Sequence, residues 1–145
     1  MDFMSALDIS ASGLKAQRTY MNVISMNLAN VKTTRTAEGG PYHRKSVAFA
    51  ATPVFNPFDK AMQNAEDREL AGVTVRGIVN DKRPMKRVFE PGHPDADKDG
   101  YVSYPDINVV EEMANMITTM RSYEANVQAI QDTKAMFNKA IQIAR

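Results

Sequence analysis

The sequence predicts an α+β chain in which long N- and C-terminal helices pair in a coiled-coil-like arrangement, with a small β-rich domain between them. Three observations carry this. All 7 Pro lie between Pro41 and Pro105, and every Gly except Gly13 lies between Gly39 and Gly100, so the helix-breaking residues are confined to the middle. The last part of the chain repeats apolar residues alternately four and three apart. The middle holds short runs of alternating Val and Phe bounded by Gly-Pro turns. The division expected is 1–35 for the first helix, 36–107 for the middle and 108–145 for the last helix.

In the first helix Leu7, Leu14, Met21 and Leu28 are spaced by seven. Phe3, Ser10, Gln17 and Ile24 form a second line, apolar only at its ends. Ser5 or Asp8 is the expected cap. Asn30 with Thr33 and Thr34 should close the helix, because Asn and β-branched residues weaken a helix end. The middle offers strands at Ser46–Phe49, at Val73, Val75 and Val79 across Gly77, and at Lys86–Phe89. Gly39-Gly40-Pro41 and Pro91-Gly92-His93-Pro94 are turn signals. Pro53–Leu70 reads as a loop, with a marginal helix in Ala61–Leu70.

The last helix has the clearest period. Val109, Met113, Met116, Met120, Tyr123, Val127, Ile130, Phe137, Ile141 and Ala144 form a heptad stripe interrupted by Lys134. Asn108 followed by Glu111 reads as an N-cap with an acid three residues on. Glu111 and Glu112 sit at the positive end of the helix dipole. From Val109 to Arg145 such a helix would be about 55 Å long, against a diameter near 40 Å (~15 Å radius of gyration) for a compact chain of this size. A protruding apolar stripe needs partners. The first helix is shorter and more polar, so it covers the stripe incompletely. Two architectures stay open: an assembly protein whose remaining stripe is buried by other chains, or a bundle whose long helix is bent and covered by the middle.

Composition narrows the chemistry. The net charge of +1 argues against nucleic acid as a partner. No run approaches the roughly 18 apolar residues of a membrane span, so no direct membrane insertion is expected. Without Cys there are no disulfides, thiolate nucleophiles or Cys-based metal sites. The acids near Met1 do not suit a secretory signal, so a cytoplasmic location or export without a cleaved signal peptide is expected. His43 and His93 lie far apart and fit no catalytic or metal motif, so no enzyme and no cofactor are expected.

Asp95, Asp97, Asp99, the Tyr101 carbonyl, Ser103 and Asp106 fall at the ligand positions of a calcium loop, with Gly100 at the turn. Against that reading, the last ligand is Asp in place of Glu, Pro105 precedes it, and Pro94 forbids an entering helix. An acidic turn with Asp side chains bonding local N–H groups is the plainer reading. Lys82, Arg83, Lys86 and Arg87 form a cationic run that suits the Asp95–Asp99 cluster of this chain or of a neighbour. Asn27 and Asn30 suit either ordinary capping or polar contacts between subunits. Met113, Met116 and Met120 are packing residues, able to adapt to varied neighbours.

Ser12-Gly13-Leu14-Lys15-Ala16-Gln17, with Asn22-Val23-Ile24 and Asn27-Leu28-Ala29-Asn30, resembles the N-terminal signature of bacterial flagellar axial proteins. Ser122-Tyr123-Glu124-Ala125-Asn126 resembles its C-terminal counterpart. Thr33-Thr34-Arg35-Thr36, Glu38-Gly39-Gly40-Pro41-Tyr42, His93-Pro94-Asp95-Ala96-Asp97, Asp99-Gly100-Tyr101-Val102 and Tyr104-Pro105 narrow the resemblance to the proximal-rod subunits. The residues from Phe49 to Arg83 are unmatched, and Asp106-Ile107 departs from an expected Asn-Val. The resemblance implies a structural subunit of the basal-body rod that crosses the periplasm and carries torque from the rotor towards the hook. The implied partners are copies of itself, other flagellar rod proteins and the flagellar type III export apparatus, which passes such chains unfolded. It also implies that the terminal helices form an inner domain of the rod and fold on their neighbours. The expected assembly surface is Leu7, Leu14, Met21, Ile24 and Leu28 with Met113, Met116, Met120, Tyr123, Val127, Ile130, Phe137 and Ile141. The residue patterns alone also leave a calcium-binding module and a self-contained helical bundle binding a small partner.

Overall fold

The computed structural model of the chain describes residues 3–53 and 70–143. Helix α1 spans Phe3–Ala29 and helix α2 spans Val109–Ile143. Between them lie strands β1 (Lys45–Pro53), β2 (Ala71–Asn80), β3 (Lys86–Phe89) and β4 (Tyr101–Tyr104). The marginal helix read at Ala61–Leu70 falls almost wholly outside the described residues.

α1 begins at Phe3, ahead of both expected caps. Its end is as expected: the Asn30 amide donates to the Met26 carbonyl at 2.8 Å and its carbonyl oxygen accepts from the Thr33 hydroxyl at 3.1 Å. Ser10 and Thr19 bond the carbonyls four residues back, at 3.0 Å each, which lets polar residues sit on a helix that is packed on more than one side. α2 starts where Asn108 caps it, its side-chain oxygen accepting from the Val110 and Glu111 N–H groups at 3.0 and 3.4 Å. Its 35 residues run unbroken for about 52 Å. The bent-bundle architecture is therefore not the one adopted.

The helices pair antiparallel. Phe3 stacks on Phe137 at 4.4 Å at one end. Asn27 meets Glu112 at the other. Midway, a Cβ on Gly13 would come within 3.2 Å of the Asn126 amide, so the backbone of α1 and a side chain of α2 are in close approach. The seam on α2 therefore follows Glu112, Thr119, Asn126 and Thr133, alternating with Met116, Tyr123, Ile130 and Phe137 on the same helical face.

The strands make two separate two-stranded antiparallel sheets. β1 and β2 pair from Lys45 opposite Asn80 to Pro53 opposite Ala71, with a bulge that leaves Arg76 unmatched beside Ala48 and Phe49. This hairpin lies along α1. The Val73 N–H donates to Ser12 Oγ at 3.0 Å, and Tyr20 meets Phe49 edge-on at 5.8 Å. β3 and β4 pair from Lys86 opposite Tyr104 to Phe89 opposite Tyr101. β4 is a strand within the stretch read from sequence as a metal loop or turn. Gly100, at φ +78°, makes the turn into it, in a conformation that L side chains rarely adopt.

The largest fully buried side chains among the described residues are Val23, Ile24, Asn27, Val102 and Glu112, all within 2% of complete burial. α1 packs against both α2 and the β1–β2 hairpin, whereas the main packing of α2 among these elements is on α1.

Candidate functional site: a buried junction and an open helix face

The end of the helix pair is tied to the middle of the chain by a polar cluster. Asn27, on the last turn of α1, uses its whole hydrogen-bonding capacity. Its amide donates to the Lys45 carbonyl at 2.8 Å and to Glu112 Oε2 at 3.2 Å. Its oxygen accepts from the Lys45 N–H at 2.9 Å and the Tyr42 hydroxyl at 3.0 Å. Asn27 thus pairs with Lys45 as a neighbouring strand would, and sets where β1 begins.

Glu112 stands opposite, in the first turn of α2. Its Oε1 accepts from Arg44 Nε at 2.8 Å and Nη2 at 2.6 Å. Arg44 reaches on to Asp81 at 3.3 Å, just past the end of β2, and Arg83 closes the chain on Asp81 at 2.9 Å. Burial works against the Arg44 charge. The hydrogen bond and negative charge of Glu112, with Asp81 and Glu111, outweigh that and hold its pKa above the ordinary value. Burial, and then the charge of Glu112, push the Tyr42 hydroxyl up. The cluster joins α1, α2, β1 and the end of β2 through one buried carboxylate. Asn27 makes all these bonds within its own chain, so the structure gives no support to it as a contact between subunits. Asn30 acts as a cap.

The sequence reading passed over Glu112 as a dipole residue and did not single out Tyr42 or Arg44. A charged residue in register with Met116 and Thr119, on the side facing α1, was the available signal.

The predicted stripe on α2 divides into two. Met116, Tyr123, Val127 and Ile130 are half-buried. Val109, Met113, Met120 and Ile141 are 41–53% exposed, joined by Ile117 at 53% and Val110 at 75%. On α1, Leu7, Leu14, Met21 and Leu28 are half-buried and Ile24 is buried. The seam keeps Met116, Tyr123, Ile130 and Phe137 from the stripe and turns from its other half towards Glu112, Thr119 and Asn126, with Gly13 of α1 in close approach to Asn126.

The acidic loop does not gather a cation site. Asp95 accepts from the Thr34 hydroxyl at 2.8 Å and lies 4.0 Å from Arg35. Asp97 accepts from the Lys98 N–H at 2.7 Å and lies 3.8 Å from Arg87. The Tyr101 carbonyl, a ligand in the calcium reading, instead accepts from the Asp97 N–H at 2.8 Å. No cluster of three or more His, Asp or Glu suited to a metal occurs among the described residues. In the cationic run, Arg87 also covers the Tyr101 ring at 5.0 Å. Lys82, Lys86 and Asp99 are exposed and form no ion pair among the described residues. No helix among the described residues is long and apolar enough to cross a membrane.

Comparison with known proteins fits this arrangement. Residues 7–35 match the family model described as flagella basal body rod protein. Residues 98–143 match that described as flagellar basal body rod FlgEFG protein C-terminal. The two matches fall on α1 with its cap and on β4 with α2, the segments that meet at Gly13–Asn126 and Asn27–Glu112. The flagellar basal-body rod protein FlgC of Borreliella burgdorferi is 43% identical, covering 99% of this chain and 98% of its own. Those of Aquifex aeolicus and Bacillus subtilis are 42% and 37% identical, over 98% and 100% of this chain and 97% and 100% of theirs. Rod proteins are structural and not enzymes, and neither a calcium module nor a self-contained bundle finds support among these relatives. The chain belongs to the FlgC family of flagellar basal-body rod proteins, structural subunits of the basal body that assemble with other rod components.

Proposed function

We propose that this chain builds the proximal rod through the open face of α2, packing on copies of itself and on other rod proteins to carry torque from the rotor towards the hook. The observation that carries the reading is the run Val109, Val110, Met113, Ile117 and Met120, each 41–75% exposed on a helix covered by α1 on another side. Large apolar side chains in such a row mark an interaction surface. The remaining stripe residues, Leu7, Leu14, Met21, Ile24 and Leu28 with Met116, Tyr123, Val127, Ile130 and Phe137, hold the pair in the shape a neighbour meets, and Ile141 is exposed like the face itself. Lys82, Lys86 and Asp99 are left for contacts between subunits, with Arg83, Arg87, Asp95 and Asp97 partly engaged in the chain. In this reading the helices, the β-rich middle (36–107) and the flanking parts act as units of a periplasm-spanning rod. The chain reaches it unfolded through the flagellar type III export apparatus, without a cleaved signal peptide. The absence of Cys suits passage between redox compartments.

The test is Met120→Lys in a flagellated bacterium lacking its own copy. A charge buried without a partner costs several kcal/mol (~3–5), so swimming should be lost and the chain should be missing from purified basal bodies. The isolated variant should melt as the parent does, since Met120 lies outside the α1 seam. Normal swimming would refute the assignment of this face.

A further inference from the structure

The β3–β4 hairpin has a closed face and an open one. Val102 is buried and Val88, directly opposite, is half-buried. Cross-strand partners share a face, so Phe89 with Tyr101, and Arg87 with Ser103, lie on the other side. There Phe89 is 61% and Tyr101 41% exposed, their rings meeting edge-on at 5.3 Å.

The two edges differ as well. The Glu90 N–H donates to the Gly100 carbonyl at 2.9 Å. Ladder bonds alternate along an antiparallel pair, so from there they fall at Val88 with Val102 and at Lys86 with Tyr104. The N–H and C=O groups of Arg87 and Phe89 therefore point away from β4, and they meet no backbone partner among the described residues. On the far edge the Tyr101 carbonyl is already occupied by the Asp97 N–H. A ladder of two four-residue strands is marginal by itself, and a third strand would strengthen it.

The open edge is positively charged. Lys82 and Arg83 lead into β3, and Lys86 and Arg87 begin it, all four exposed. Arg83 is held by Asp81, but Arg87 and Asp97 stand 3.8 Å apart with both side chains more than half exposed. The one acid at the end of β3, Glu90, accepts from the Tyr104 hydroxyl at 2.9 Å. A strand laid along this edge meets cations, so the strand that fits carries acids. β1, β2, β3 and β4 contain no Asp or Glu, so a second copy of the chain brings no acidic strand among its described residues.

We infer that an extended acidic segment of another basal-body protein adds antiparallel to the open edge of β3. It places an apolar residue opposite Phe89 and, two residues further on, an Asp or Glu opposite Arg87. The free backbone groups of β3 supply the bonds, and the aromatic pair and the cations select the sequence. This surface is separate from the α2 face and extends the rod reading to a second contact.

The test places a photoreactive side chain on the outer face, as Phe89→p-benzoylphenylalanine or Ser103→p-benzoylphenylalanine, in a flagellated bacterium lacking its own copy. Purified basal bodies are irradiated, and the adducts are digested and sequenced by mass spectrometry. The expected adduct joins the chain to a different protein, at a segment with an apolar residue two positions before an Asp or Glu. Arg87→Glu should lower the yield per incorporated chain by about tenfold or more, or keep the chain out of basal bodies, since it sets like charges together. Arg87→Lys should do neither. Adducts to a second copy of this chain, or to a segment without acids, would overturn the inference. So would an unchanged yield with Arg87→Glu, or the absence of an adduct from both positions. A chain that enters basal bodies without forming adducts would leave the rod reading intact.

Discussion

Replacing Glu112 with Ala removes the carboxylate on which the junction converges. The side chain is 1% exposed. The substitution takes two bonds from Arg44, at 2.8 and 2.6 Å, and one from Asn27, at 3.2 Å. Removing one partner of a buried pair costs about 3–5 kcal/mol, because the other charge stays buried. Two features place the present case at the low end. Arg44 retains Asp81 at 3.3 Å, and its side chain is 12% exposed. Asn27 also retains its two bonds to Lys45 and the one from Tyr42. The expected loss is about 3 kcal/mol. Replacing both charges, Glu112→Leu with Arg44→Met, should cost clearly less than the two single substitutions added together, with a coupling near 2 kcal/mol. The assay is urea unfolding of the four proteins followed by far-ultraviolet circular dichroism. Additivity within about 0.5 kcal/mol would show that the two side chains do not act as a pair and would refute the junction as described.

Other outcomes follow from single positions. Tyr42 has its pKa raised by burial and by the charge of Glu112. It therefore contributes stability in full below its ordinary value near 10, and this is lost as pH rises through the higher folded value; Tyr42→Phe should flatten the alkaline limb of a stability–pH curve measured by urea unfolding. Gly13→Val should lower stability by about 2 kcal/mol, since a Cβ alone would already lie 3.2 Å from the Asn126 side chain; an unchanged midpoint in the same assay would contradict the close approach. Gly100→Ala places a side chain at φ +78° with its Cβ 2.9 Å from the Phe89 ring. It should cost about 1–2 kcal/mol and speed amide exchange in β3 and β4 while leaving the helices protected.

Several features were legible in the sequence because they depend on local chemistry. The confinement of Gly and Pro marked both helices. Asn30 and Asn108 are caps in sequence and in structure, because a cap needs only neighbouring N–H groups or carbonyls. β1, β2 and β3 followed from alternation, although the bulge at Arg76 breaks the period and was not foreseen. β4 was missed because Tyr101–Tyr104 sits in an aspartate-rich stretch that fits a turn as well as a strand. Its strand state depends on pairing with β3, across the turn that Gly100 permits.

The sequence by itself determined that two long amphipathic helices flank a short-stranded middle, and the signature residues pointed to the flagellar axial family. It left undecided which side of α2 meets α1. Heptad spacing identifies an apolar stripe, but the burial of a residue depends on what another element places against it. Only the tertiary structure put Glu112, Thr119 and Asn126 in the seam, with Gly13 opposite. It did so because a small residue and satisfied polar groups allow closer approach than a row of methionines. That rotation leaves Met113, Ile117 and Met120 outside, and the pairing of distant residues, Asn27 with Lys45 and Glu112 with Arg44, fixes it in place.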